Sequence, residues 1–182
     1  MELFEAIQTR RSYRGFFRPE PIPRETLTRI LEAILAAPSG CNKQTVSAIG
    51  VDDPAAVKAL GDILGKPNFA SAPACICILT NRQIAWGDTT YFRQDYGAAI
   101  ENGLLAITAL GLASCWVEGG VCRDPEIARN MARVLQVPEE LHLVCFLPVG
   151  IPAEPFTQPQ KRPFEERAWF NRYGSPEGEN NK

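Results

Sequence analysis

The residues best suited to chemistry fall in four clusters. Arg10, Arg11, Ser12 and Arg14 place three guanidinium groups and a hydroxyl within five positions. Guanidinium groups form paired, charge-assisted bonds to phosphate oxygens, so this set suits a phosphate group. It equally suits a solvated basic turn. Pro38-Ser39-Gly40-Cys41-Asn42-Lys43-Gln44 follows. Gly40 permits close backbone approach, and the amides of Asn42 and Gln44 both donate and accept, which fits the edge of a heterocycle. A helix-ending turn favours the same residues. In Trp116-Val117-Glu118-Gly119-Gly120 the glycines let backbone N–H groups reach a ligand, or simply join a strand to a helix. Finally, Lys161 and Arg162 can complete a phosphate site with the N-terminal arginines, or stand as a solvated pair.

Other chemistries have little support. No Ser–His–Asp set is apparent, and the one histidine, His142, makes a poor metal inventory beside six cysteines without a C-x-x-C spacing. No metal site is expected. Most of the cysteines sit in apolar runs, where the thiol behaves as a small hydrophobe, and free thiols are expected. Cys41 lies in the candidate ligand loop and is first read as a space-filler.

These clusters need elements to hold them. Residues 2–9 carry Leu3, Phe4 and Ile7 on one helical face. Residues 24–37 predict a helix with Leu27, Ile30, Leu31, Ile34 and Leu35 at three- and four-residue steps, stopped by Pro38. Residues 46–51 predict a strand. Asp53-Pro54 predicts a helix start running to about Leu64, with Gly65 closing it. ACICILT, 74–80, predicts a strand buried on both faces, with Cys75 and Cys77 on the same side. Residues 95–110 predict a helix apolar nearly all round, which suggests burial partly by a second subunit. A short strand at 113–117, a helix from Asp124-Pro125 to about Leu135 and a last strand at 141–149 complete an α+β or layered α/β domain with four strands. Beyond Gly150 the chain is rich in proline and charge yet carries Phe156, Phe164, Trp169, Phe170 and Tyr173. Such aromatics suit a segment lying across an apolar surface, for which a partner subunit is a natural candidate.

The 182 residues suit one domain, and 45% hydrophobic residues supply a core. A net charge of −2 argues against a broad nucleic-acid surface, though not against one local phosphate pocket. The opening MELFEAIQTR lacks a basic start with an apolar run, and no apolar stretch suits a bilayer span. No membrane or nucleic-acid partner is expected, and the location is read as cytoplasmic.

The stretches RRSYRGF, LEAILAAPSGCNKQ, DYGAAIENGLLAITALGLASCWVEG, LPVGIPAE and KRPFEE, in that order, span most of residues 2–167. Together they resemble the nitroreductase family of FMN-dependent oxidoreductases. The resemblance implies an α+β fold: a mixed sheet flanked by helices, an intertwined homodimer, and FMN at the dimer interface. Residues 1–150 would form the FMN-binding core and 151–182 an extended arm on the partner subunit. Arg10, Ser12 and Arg14 would hold the FMN phosphate and ribityl chain, joined by Arg11, and Lys161 or Arg162 would close the site. Ser39 and Asn42, shaped by Pro38 and Gly40 and followed by Gln44, would line the flavin from the other subunit. Glu118 and Gly119 would turn backbone N–H groups toward flavin N5 and O4, stabilising charge on the reduced ring. NADH or NADPH would give a hydride to N5, and a nitroaromatic, quinone or similar small molecule would take the electrons. The flavin carries the chemistry, so no catalytic side chain is expected. The alternative is a protein that modifies or senses flavin without general reductase turnover. Two features depart from the family pattern: the loop reads NKQTV where the family has Asn-x-Gln-Pro-Trp, and residues 81–95 are compact where lid helices are often inserted. There Trp86, Tyr91 and Phe92 form a small aromatic cover or pack at the interface.

Overall fold

A computed structural model describes residues 1–174; the end of the predicted arm, 175–182, lies outside the described residues. The chain runs α1 (Leu3–Thr9), α2 (Arg24–Leu35), a 3-10 turn (Gly40–Asn42), β1 (Val46–Val51), α3 (Pro54–Leu64), α4 (Pro67–Ala70), β2 (Ala74–Thr80), α5 (Phe92–Ala109), α6 (Glu118–Cys122), α7 (Pro125–Val134), β3 (His142–Val149) and a second 3-10 turn (Phe164–Glu166).

β2 lies between β1 and β3 and is antiparallel to both. Every residue of β2 is buried, because helices cover both faces. Side chains alternate along a strand, and the alternation divides the core in two. Cys75, Cys77 and Leu79 face a cluster with Val57, Leu60 and Leu64 of α3 and Met131 of α7. Ala74, Ile76 and Ile78 face Ile30 and Ile34 of α2 and Ile100 and Ile107 of α5. Burying each such aliphatic side chain contributes about 1.5–3 kcal/mol before conformational entropy is counted. The Asp-Pro signals hold: Asp53 accepts from the Ala56 N–H and Asp124 from the Glu126 N–H, and Gly65 ends α3 at φ +66°. That left-handed turn favours a residue without Cβ.

Four expectations need correction. The three-strand sheet is antiparallel, not mixed, and parallel pairing is confined to an isolated bridge between Ser12 and Ser114. The expected strand at 113–117 is reduced to bridges at Ala113–Gly150, Ser114–Ser12 and Val117–Phe146, because it pairs one residue at a time, once with β3 at Phe146 and once just past its end at Gly150. α5 begins at Phe92 rather than residue 95. Its buried residues form one side; Gly97, Ala98, Glu101, Asn102, Leu105 and Ala106 stay half-exposed within a single chain. α1 buries Ala6 but leaves Leu3, Phe4 and Ile7 exposed. In the arm, Phe156 packs on Tyr13 with ring centroids 4.7 Å apart, whereas Phe164, Phe170 and Tyr173 are exposed. No helix among the described residues is long and apolar enough to cross a membrane.

Candidate functional site

The segment after α1 is extended, as its bridge to Ser114 and the bond from Tyr13 N–H to the Ser114 carbonyl (2.8 Å) show. Extended backbone sends alternate side chains to opposite sides. Tyr13 and Arg11 therefore share a side: Tyr13 is buried against Phe17 and Phe156, and the Arg11 guanidinium lies 4.5 Å from the Phe156 ring centre. Arg10, Ser12 and Arg14 share the other side and meet at Cys115. Burial pushes the Cys115 thiol above its ordinary value, while the Arg14 charge, a hydrogen bond from Ser12 and the Arg10 charge pull it back. Two cations and a hydroxyl thus surround one sulfur, with Arg10 also bridged to Glu101 of α5 at 3.1 Å. Arg11 is not brought into this group. Its Nε is buried without a hydrogen-bond partner, as is Oγ of Ser114.

The 38–44 loop is built around a residue that motif reading missed. Asp95, in the first turn of α5, is buried; its Oδ1 accepts from Gly40 N–H at 2.8 Å and its Oδ2 from Thr45 Oγ1 at 2.6 Å. Between these anchors Cys41, Asn42 and Gln44 have φ of 50°, 53° and 50°, a left-handed conformation costly for residues with a Cβ. Ser39 Oγ accepts from Gln44 N–H at 2.9 Å. A Cβ on Gly40 would fall 2.5 Å from the Tyr91 ring, so the close packing of Tyr91 requires glycine there. Pro38, Cys41, Asn42 and Gln44 are exposed and Ser39 and Gly40 half-buried, so the loop presents its polar groups outward. An acidic residue opening an otherwise apolar helix is the signal that marks Asp95 in the sequence.

Glu118 and Gly119 begin α6 rather than an open loop. N–H groups of a first helical turn have no partner inside the helix, and a Cβ on Gly119 would meet nothing within 4 Å. The Glu118 carboxylate is held from behind: Tyr96 O–H donates to Oε1 at 2.6 Å and Trp116 Nε1 to Oε2 at 3.0 Å. Burial, with the Glu118 hydrogen bond and charge, raises the Tyr96 phenol above its usual range. Tyr96 and Trp116 were not singled out as site residues by sequence; two donors converging on one carboxylate are visible only in three dimensions.

Lys161 and Arg162 stand exposed in the arm, where Arg162 Nε donates to Glu166 at 2.8 Å. The arm is pinned nearby, since Gln158 Nε2 donates to the carbonyls of Gln8 (3.2 Å) and Arg10 (3.3 Å). Three residues of extended chain reach about 10 Å, so Lys161 lies within a short span of the Arg10 backbone.

Fold and site together define a layered α+β protein whose extended N-terminal segment sets Arg10, Ser12 and Arg14 on one side. The nitroreductase family model matches residues 7–66 and 64–151, and the chain belongs to the nitroreductase family. It is similar to the FMN reductase [NAD(P)H] of Bacillus subtilis, with 28% identity over 181 residues, covering 90% of this chain and 71% of that one. A nitroreductase with bound FMN from Bacteroides fragilis is 30% identical, with TM-score 0.72 and coverage of 89% and 94%. A BluB-like flavoprotein from Clostridium difficile shares the fold at TM-score 0.80 and 23% identity, covering 94% of this chain and 100% of that one.

Proposed function

We propose that this protein is an FMN-dependent NAD(P)H oxidoreductase that passes electrons to a small-molecule acceptor such as a nitroaromatic or quinone, and that it works as a homodimer. The observation that carries the reading is the extended segment bridged at Ser12 to Ser114, whose alternation sets Arg10, Ser12 and Arg14 on the side opposite Arg11 and Tyr13. The donor set fits FMN: two guanidinium groups and a hydroxyl suit a phosphate dianion, the buried Oγ of Ser114 lies unpartnered beside the bridge to Ser12, and the first turn of α6 is open at Gly119. FMN when bound would supply hydride acceptance at N5 and onward electron transfer.

The chain's own residues bind and orient. Arg10, Ser12 and Arg14 take the phosphate and ribityl chain, and Lys161 or Arg162 adds a cation from the arm. The N–H groups of Glu118 and Gly119 face the edge of the ring that gains negative charge. Exposed Asn42 and Gln44 and half-buried Ser39, on the loop shaped by Pro38 and Gly40, would reach the ring of the partner's site. Exposed Leu3, Phe4 and Ile7 on α1 support a face buried by that partner. Arg11, turned to Phe156, takes no part.

The test is the visible spectrum of purified protein and of Arg10→Ala and Arg14→Ala variants. About one FMN per chain is expected, with each variant weakening FMN affinity roughly 10- to 100-fold through the loss of a charge-assisted phosphate bond. Colourless protein that refuses added FMN refutes the reading, and unchanged affinity in both variants refutes the phosphate assignment. Bound flavin that NADH and NADPH fail to bleach under nitrogen would favour a flavin-modifying or flavin-sensing role.

A further inference from the structure

A second cleft lies apart from the phosphate cluster. It measures about 880 Å³ and lies between the start of α5, the α6–α7 pair and the opening of β3. Four arginines line it, Arg82, Arg93, Arg129 and Arg133, against two carboxylates, Glu118 and Glu139. That is a cationic surplus on a chain of net charge −2. Among the described residues, Arg129 is paired with Glu126, and Arg133 donates to the Asn130 amide oxygen at 2.8 Å. Among the described residues Arg82 and Arg93 have no carboxylate partner within 4 Å; they lie 5.6 and 5.8 Å from the centre of the Phe92 ring. Glu118 makes no ion pair with them, its oxygens accepting instead from Tyr96 and Trp116. The charge of Arg93 reaches the cleft floor, where it counters the upward shifts of Tyr96 and Cys122.

Guanidinium groups with unused donors beside an aromatic ring recognise phosphates attached to a flat base: the arginines take the oxygens and the stacked planes take the ring. Glu118 belongs both to this cleft and to the helix start assigned to the flavin edge. A dinucleotide anchored in the cleft therefore has its other end beside the flavin. We propose that this cleft holds the adenosine-phosphate end of the reduced dinucleotide, and that its surplus of arginines makes the protein prefer the form carrying the additional 2′-phosphate. The proposal rests on the oxidoreductase reading for its choice of ligand.

The experiment is calorimetric titration of the FMN-loaded protein with adenosine 2′,5′-bisphosphate and with 5′-AMP, probes without a redox-active ring, on wild type, Arg93→Gln and Arg133→Gln. Wild type is expected to bind the bisphosphate at least about tenfold more tightly than 5′-AMP, the weight of one charge-assisted bond. Each variant should weaken the bisphosphate by about the same factor and raise KM for NADPH with it, leaving FMN content and kcat with NADH unchanged. Protein that holds FMN and is reduced by NADPH yet binds no bisphosphate overturns the cleft assignment and leaves the oxidoreductase reading intact. Unchanged affinities in both variants overturn it too, and equal affinity for 5′-AMP overturns the 2′-phosphate preference. Protein that binds the bisphosphate but refuses FMN keeps the cleft and removes the oxidoreductase reading.

Discussion

Replacing Asp95 tests whether a buried carboxylate holds the 38–44 loop, proposed to line the flavin, in its strained shape. The side chain spans the loop, bonding Gly40 N–H at 2.8 Å and Thr45 Oγ1 at 2.6 Å, with the left-handed residues Cys41, Asn42 and Gln44 between these anchors. Asp95→Ala removes both acceptors and leaves a hydroxyl in a site 1% exposed at Thr45. A bond to a charged group is worth about 1.5–3 kcal/mol. Two such bonds set an upper range near 3–6 kcal/mol, and water entering the vacated space lowers the expected loss to roughly 3 kcal/mol. Each left-handed residue costs on the order of 1 kcal/mol, so the untethered loop relaxes, and FMN must impose the strained shape again on binding. Affinity should then fall about 10- to 100-fold, equivalent to roughly 1.4–2.7 kcal/mol. Asp95→Asn keeps an oxygen for Gly40 and turns an amide to the Thr45 hydroxyl, which can accept; its loss should stay near about 1 kcal/mol. Urea unfolding of the FMN-free protein measures the first effect and flavin fluorescence titration the second. An alanine variant with unchanged stability and unchanged FMN affinity would show that Asp95 does not organise the loop.

Two further outcomes follow from the core. Burial holds the Cys75 and Cys145 thiols well above their ordinary value of 9.0. The folded chain therefore keeps protons that the unfolded chain releases, so this stability is complete below about pH 9 and declines as pH rises beyond it. The urea midpoint should drop between pH 8 and pH 10.5 and drop less in Cys75→Ala; a midpoint independent of pH contradicts the burial argument. Gly103→Ala would place a Cβ 2.7 Å from Cγ1 of the fully buried Ile34, where α5 crosses α2. The overpacking should cost about 1–3 kcal/mol, read as a lower melting temperature, and an unchanged melting temperature would show that the two helices separate freely.

The elements that pack the sheet were legible in the sequence because their signals are local. β1 and β2 match the predicted bounds 46–51 and 74–80, and the Asp-Pro caps placed the starts of α3 and α7. The 113–117 strand was not recovered as a strand, since pairing at isolated bridges depends on how two distant segments meet. At the site, types and spacing brought Arg10, Ser12 and Arg14 forward as one group, and the resemblance joined Arg11 to them as their neighbour. In the extended chain two-residue alternation sends Arg11 and Tyr13 together to the opposite side, where Phe156 receives both. Asp95 escaped notice for a different reason. Its role lies in bonds to residues 55 and 50 positions away in the chain, so the local signal of an acid in the first turn of α5 marks the residue but not its partners.

The hydrogen bonds behind α6 also bear on where protons come from during reduction. Glu118 receives Tyr96 O–H on one oxygen and Trp116 N–H on the other, so both oxygens of its carboxylate are engaged as acceptors. Tyr96 points its proton at Glu118, and burial with that same carboxylate raises its pKa, which makes it a poorer acid than a free phenol. The pair is thus a brace: it ties the Glu118 side chain, and with it the first turn of α6, to α5 and Trp116, beside the open space at Gly119. Fixed amides stabilise developing negative charge without reorganising, and they do so at any pH at which the fold stands. Under the proposed function, the first turn of α6, braced in this way, would stand beside a bound flavin, and the flavin itself would supply the redox chemistry.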